Sequence, residues 1–289
     1  MNLFHNMTTV GIYTMIAVVV LLAYGARTNP FRIGGLFVRE MAVNRKYLFH
    51  FAALMLILFC NKLELSIEAN MSGTHDFTSL FQSIEGHFVA NLQHTFHNDI
   101  LTAVLAVMYV VVFQALLIAS VGIYTYQEKS RRMYYAICYA IMVNYLVAIP
   151  FYLFFPVNEV WAHDSSVRFL MLDVFPNFET EYRSLSGINN CFPSLHTSIS
   201  VTLAVLAIRS GNKRWAWLCS ISAVMIIFAI FYLGIHWLID MGGGLILGVF
   251  ASTVGMRLSA LNMSLRSRRP NHSLKGTPAN ISFAHDDAK

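Results

Sequence analysis

Residues 100–127, ILTAVLAVMYVVVFQALLIASVGIYTYQ, contain no charged side chain. As a helix this run is about 42 Å long, longer than the roughly 30 Å hydrocarbon core of a bilayer. It lacks the alternation of a barrel strand, so it reads as a transmembrane helix whose backbone satisfies its own hydrogen bonds. Working outward, further uncharged stretches occupy 1–26, 133–158, 184–208 and 215–239, with shorter ones at 47–61 and 241–256. The 289 residues are 56% hydrophobic and only 12% charged, with a mean hydropathy of +0.56. That balance excludes a water-soluble enzyme, an intrinsically disordered chain and a secreted disulfide scaffold. Cys60, Cys138, Cys191 and Cys219 show no C-x-x-C spacing and argue for neither zinc nor a disulfide framework.

The predicted fold is an all-α polytopic transmembrane bundle of six to seven spans, at about 10–26, 47–64, 100–122, 134–156, 193–209, 215–235 and 236–256. No Lys or Arg precedes the first apolar segment, so it is expected to be a retained span rather than a signal peptide. The second is the weakest, because its uncharged core is short and Lys62 would have to snorkel. The net charge of +5 is distributed over short loops beside spans, which is an orientation pattern rather than a nucleic-acid surface. Placing the first, third and fifth loops and the C-terminal segment on one side gathers 17 of the 20 basic residues there. The other side keeps Lys62, Arg168 and Arg183 with 11 of the 15 acidic residues. By the positive-inside rule the N-terminus is then expected outside and the C-terminus in the cytoplasm. The transmembrane domain is expected over 1–265, with 266–289 a flexible cytoplasmic tail. Between Glu64 and Asp99, Phe77, Leu80, Phe81, Ile84, Phe88 and Leu92 recur at helical spacing, predicting one amphipathic helix in the interface.

Two stretches carry candidate chemistry. In Cys191-Phe-Pro-Ser-Leu-His-Thr-Ser198, Pro193 suits the first position of a helix, which would place Ser194, Leu195 and His196 in its first turn. Free N–H groups and the positive end of the helix dipole there make an anion site suited to phosphate. In Phe231-Tyr-Leu-Gly-Ile-His-Trp-Leu-Ile-Asp240, His236 and Asp240 are four residues apart. On a helix they share a face, so Asp240 can hold one imidazole nitrogen and leave the other to act as nucleophile or base. Forty residues separate His196 from His236, enough for a two-span hairpin that returns both to one membrane face. Glu85, His87, His94, His97 and Asp99 form a further polar cluster, readable as metal ligands or, more simply, as an interfacial polar face. Gly244 and Gly248 form a small-x-x-x-small pattern suited to close helix packing.

Pro-Ser-Leu-His followed by His-x-x-x-Asp resembles the second and third motifs of the type 2 phosphatidic acid phosphatase superfamily, over roughly 157–256. Leu195 in place of the usual Gly is similar to the branch containing inositol phosphorylceramide synthases. The superfamily's first motif, Lys, six residues and Arg-Pro, is missing. Its nearest substitute is Arg168, with Trp161 at the Lys position and Phe169 at the Pro position; Arg183 is the alternative. Ala229 and Ile230 stand where the third motif usually has Ser-Arg.

The resemblance implies a lipid-phosphate phosphatase or phosphotransferase, leaning toward head-group transfer, with no cofactor and no metal. His236, oriented by Asp240, would attack phosphorus to give a phosphohistidine while His196 protonates the leaving oxygen. Ser194, the helix N-terminus and Arg168 or Arg183 would bind the phosphate. The partners implied are a lipid phosphate or phospholipid, an alcohol acceptor and the membrane, with no nucleic acid; the site would face the non-cytoplasmic side. Two other readings fit the spans: a non-catalytic family member acting as lipid carrier or scaffold, and a seven-span receptor or channel. Neither of these requires both histidines together with Asp240.

Overall fold

A computed structural model of the protein describes residues 2–68, 76–128, 131–183 and 186–267. Among these there is no strand, only an isolated parallel bridge between Val157 and Asn190. Six helices are long and apolar enough to cross a membrane: α1 (Met7–Ala26), α3 (Arg45–Glu68), α6 (Asp99–Gln127), α7 (Arg132–Phe154), α9 (Lys213–Tyr232) and α10, whose apolar part is Leu238–Asn262. The remaining expected span, 193–209, is α8 (Leu195–Arg209), of 15 residues. At about 22 Å it falls short of the hydrocarbon core. Its cap Ser194 and first-turn Thr197 are fully buried within the bundle.

Asparagine and serine side chains start the helices by accepting the free N–H groups of the first turn. Asn6 caps α1, Asn98 caps α6, Asn212 caps α9 and Ser194 caps α8. The first loop, expected as a plain connection, folds as a helix, α2 (Pro30–Val43), with Asn29 as cap and Pro30 at its first position. The interfacial segment is also corrected. It is two helices, α4 (Thr78–Glu85) and α5 (Phe88–Phe96), broken at Gly86, whose φ of 59° suits glycine. α10 continues to Ser267; the rest of the segment expected as a tail, 268–289, lies outside the described residues.

Long-range bonds assign the helix ends to two poles of the bundle. At one pole Arg131 pairs with Glu40 at 2.8 Å, and Asn212 Nδ2 donates to Gly25 O at 2.8 Å. The first, third and fifth loops thus meet, as the charge pattern required. Arg131 holds the Glu40 carboxyl below its ordinary range, chiefly through that hydrogen bond. At the other pole the N–H groups of Leu3 and Phe4 donate to Val174 O, and Asn190 Nδ2 donates to the Glu64 carboxylate. α3 therefore runs the full distance between the poles, and the doubtful second span is long and apolar enough to cross.

α10 makes close backbone contacts with its neighbours α7 and α8. A Cβ added at Gly244 would lie 2.6 Å from Ser194 O, at Gly248 2.5 Å from Ser198 O, and at Gly255 2.5 Å from Ala136 O. The glycines let backbone meet backbone, where dispersion gains are densest and no hydrophobic drive exists in lipid. A polar chain crosses the same contact: Asn144 on α7 donates to Thr202 at 3.1 Å and accepts from the Ser198 hydroxyl, while Thr202 donates to Gly248 O at 3.2 Å. Gly248→Val is expected to destabilise the bundle by about 1–3 kcal/mol through overpacking, read as earlier thermal unfolding in detergent; an unchanged midpoint would contradict this packing.

Candidate active site

His236 sits in the five-residue connection between α9 and α10. Gly234 turns it with a φ of 84°, and a Cβ there would meet Arg168 O at 2.6 Å. Val160 N donates to Ile235 O at 3.2 Å and Trp161 N to Gly234 O at 3.0 Å, so 157–161 holds this connection against 188–191. Leu238 starts the helix, and Asp240 is in its first turn. His236 Nδ1 lies 3.2 Å from Asp240 Oδ2, which also accepts Trp237 N–H at 2.9 Å. The expected partners meet, but across a helix start in the manner of a capping box, rather than along a helix face. His236 Nε2 has no hydrogen-bond partner among the described residues.

The same helix start receives help from 153 residues away. Glu85, at the end of α4, accepts Leu238 N–H and Ile239 N–H, both at 2.7 Å. A carboxylate at a helix N-terminus offsets the dipole, although burial still pushes the Glu85 carboxyl up. Glu85 is thus taken up by α10 and His87 by Asp164, so the polar cluster of 85–99 does not converge as ligands. Among the described residues the group close enough to hold a metal is Cys191, His236 and Asp240, within 4.8 Å of one another. Burial pushes the Cys191 thiol well up, and its Sγ donates to Ile235 O, so it is a poor metal ligand as it stands.

Ser194 is the cap of α8 and not a residue of its first turn, one position away from the expectation. Its Oγ accepts Thr197 N–H at 3.3 Å, and its own N–H donates to Asp240 O at 3.1 Å. This second bond ties the two motifs together through backbone. Tyr152 of α7 donates to Pro193 O at 3.0 Å and fixes the approach. His196 follows, stacked on Tyr109 at 4.0 Å and against Phe113 at 4.4 Å between ring centroids. A π-helical turn over Met108–Val112 in α6 sets the registers of these two rings. The His196 and His236 rings are 6.4 Å apart, and the buried His196 Nε2 has no partner among the described residues.

Both histidines line a cavity of about 510 Å³. Glu159, Asn190, Gln114 and the tyrosines 109, 145, 152 and 182 line it too. The two candidate arginines part company here. Arg168 turns outward to pair with Asp173, both exposed, and does not line the cavity. Arg183 lies immediately behind the cavity wall, bidentate to Glu159 at 2.8 and 3.0 Å, paired to Glu179 at 2.8 Å, and over the Phe169 and Phe178 rings. Glu159 is buried and also accepts the Trp161 indole N–H. Burial pushes its carboxyl up against the opposing pull of Arg183, while the two carboxylates hold Arg183 above its ordinary range despite burial.

The sequence model of the PAP2 superfamily matches residues 75–254, and the chain belongs to that superfamily. It is a multi-pass membrane protein of the phosphatase or phosphotransferase class. No curated protein and no solved structure matches it.

Glu159, Tyr109 and Phe113 were not anticipated; a buried carboxylate next to a motif was the available signal for the first, and nothing local marks the other two. Arg183→Met leaves Glu159 without its cation and is expected to cost about 3–5 kcal/mol at neutral pH. Adding Glu159→Gln is expected to return most of that. Because the folded carboxyl titrates above its unfolded value, the Arg183→Met deficit grows as pH rises through the folded pKa and shrinks as pH falls. Thermal unfolding of the three variants in detergent between about pH 5 and 7.5 tests this, since a pH-independent deficit would contradict it.

Proposed function

We propose that the protein is a lipid-phosphate phosphotransferase or phosphatase working through a phosphohistidine on His236. The observation that carries this reading is the convergence of His236, held by Asp240, and the unpartnered His196 Nε2 on one cavity. With Nδ1 engaged by Asp240, the Nε2 lone pair of His236 attacks phosphorus. His196 donates its proton to the departing oxygen, and the phosphoryl group stays on His236 until water or an alcohol takes it. Attack by either returns a proton to His196, closing the cycle. Tyr109 and Phe113 exclude water from one face of His196 and hold its ring in place.

The phosphate grip replaces the missing first motif. Ser194 and the N–H groups at the start of α8 supply part of it. Arg183 is better placed than Arg168 to supply the cation, because a phosphate dianion in the cavity competes directly with Glu159 for the same guanidinium. Leu195 in Pro-Ser-Leu-His favours the transfer branch, in which an alcohol head group rather than water takes the phosphoryl group, as in inositol phosphorylceramide synthases. The 157–256 region is the catalytic part of the transmembrane domain on this reading. The pole where the first, third and fifth loops meet lies in the cytoplasm on this reading, because the positive-inside rule assigns 17 of the 20 basic residues of the sequence to that side. The N-terminus and the histidine cavity then face the opposite side, and the C-terminus the cytoplasm.

The test is phosphate release and head-group transfer from a panel of lipid phosphates and phospholipids, with added alcohols. His236→Ala is expected to lower either product about a thousandfold or more, and Arg168→Ala to change it less than about threefold. Retained turnover in a well-folded His236→Ala variant would exclude the mechanism. The pH profile is expected to be bell-shaped, since a neutral His236 and a protonated His196 must coexist. His196→Gln is expected to lose about a hundredfold to ten-thousandfold on an alkyl ester, and far less on a substrate whose leaving oxygen needs no proton. Equal losses on both would remove His196 as the acid.

A further inference from the structure

A second cavity of about 380 Å³ adjoins the site cavity, and the two share Leu58, Leu117 and Ile118 as lining residues. Each wall is one stripe of a helix. α3 offers Leu65 and Asn61 to the first cavity, Leu58 to both, and Leu54, Met55 and Phe51 to the second, at intervals of three and four residues. α6 does the same in the opposite direction, from Tyr109 and Gln114 through Leu117 to Val121 and Gly122. α3 packs chiefly on α7 and α6 chiefly on α1 and α9, so the two stripes face each other across a gap instead of closing on one another.

The gap has a chemical gradient. At the histidine end it carries Asn61, Gln114 and Glu159; at the far end it is lined wholly by apolar side chains and glycines. From Tyr109 to Gly122 it runs about 20 Å, against a single-leaflet hydrocarbon depth of roughly 15 Å. Ile33, Gly34 and Phe37 of α2 line its far end and form a floor. Met55 and Ile118 on its walls are exposed on the outer surface of the helices, so the groove opens sideways toward surrounding lipid. α3 and α2 both precede residue 75, so much of this groove is built by chain that the family match does not cover.

We propose that this groove holds one extended alkyl chain of the substrate, with the phosphate at His236 and the chain end against α2, which measures its length. The proposal rests on the reading of the histidine cavity as a lipid-phosphate site and names the part of the lipid that the rest of the molecule selects. An apolar slot that starts at the phosphate position and opens to the bilayer matches a lipid chain in shape, polarity and route of arrival. α2 is then a ruler for chain length, which gives the helix in the first loop a role beyond linking two spans.

Gly34 offers a clean test, because a Cβ built there meets no atom within 4 Å. Gly34→Leu shortens the groove from its floor without touching the histidines. Turnover of a long-chain lipid phosphate is expected to fall about fifteenfold relative to that of a short-chain one, the effect of expelling two methylenes; an unchanged ratio would overturn the ruler. A second measurement needs no variant and no catalysis: a lipid phosphate with a photoreactive group at its chain end is cross-linked to the wild type and to His236→Ala. Adducts on α2, Leu54 or Val121, competed by unlabelled lipid phosphate, are expected. Adducts confined to outward residues such as Val224 or Ile246 would overturn the groove. Groove adducts in a wild type that turns over no lipid phosphate would sink the catalytic reading and leave the groove standing.

Discussion

The close approach of α8 and α10 is the constraint on which the site depends. Gly244 and Gly248 let α10 touch the backbone of α8 at Ser194 and Ser198, so the two helix starts that carry the histidine motifs lie side by side. Ser194 N–H on Asp240 O then locks their relative height. In lipid there is no hydrophobic gain from pressing helices together, so this spacing is set by van der Waals contact and hydrogen bonds alone. The Asn144, Ser198 and Thr202 chain reinforces it where a lost partner would leave a polar group in hydrocarbon. The cap Ser194 and first-turn Thr197 of α8 are buried, and His196 approaches the buried His236 where electrostatic interactions are strong.

The charges of the site are arranged around one substitution. Trp161, Arg168 and Phe169 have the spacing of the superfamily's Lys and Arg-Pro without its Lys and Pro, and the structure uses them differently. Trp161 stacks on Phe169 and donates to Glu159, and Arg168 faces outward with Asp173. Arg183 instead holds the cationic position behind the cavity, with its charge matched by Glu159 and Glu179. A buried ion pair of this kind contributes little net stability, because both charges lose their hydration. What it does supply is a guanidinium kept at one place with a planar fork already oriented for oxyanions.

The spans were legible because hydrocarbon leaves the backbone no other partner, and uncharged length alone reports that. The meeting of His196 with His236 was legible from two motifs and a hairpin of fixed length. Other features depend on contacts that sequence distance hides. Glu85 caps α10 from 153 residues away, and Arg183 outranks Arg168 only once the 157–192 segment is folded over the site. Spacing from an absent motif pointed to Arg168, which faces outward with Asp173, whereas Arg183 lies against Glu159 of the cavity wall. The π-helical turn that aims Tyr109 and Phe113 at His196 shifts register by a single residue, which no periodicity resolves. Two misses had local signals: Asn29-Pro30 marks the start of α2, and Gly86 interrupts an otherwise continuous apolar stripe.

A covalent phosphoryl group on His236 is the chemical claim that unites the Asp240 contact, the His196 position and the anion site at α8. Rapid quenching at alkaline pH during turnover of a lipid phosphate carrying labelled phosphorus, followed by peptide mass spectrometry, tests it directly. The account predicts label on His236, acid-labile and lost when water or an alcohol acceptor is allowed to react. Product formation with no label on His236, or with label on another residue, would contradict it.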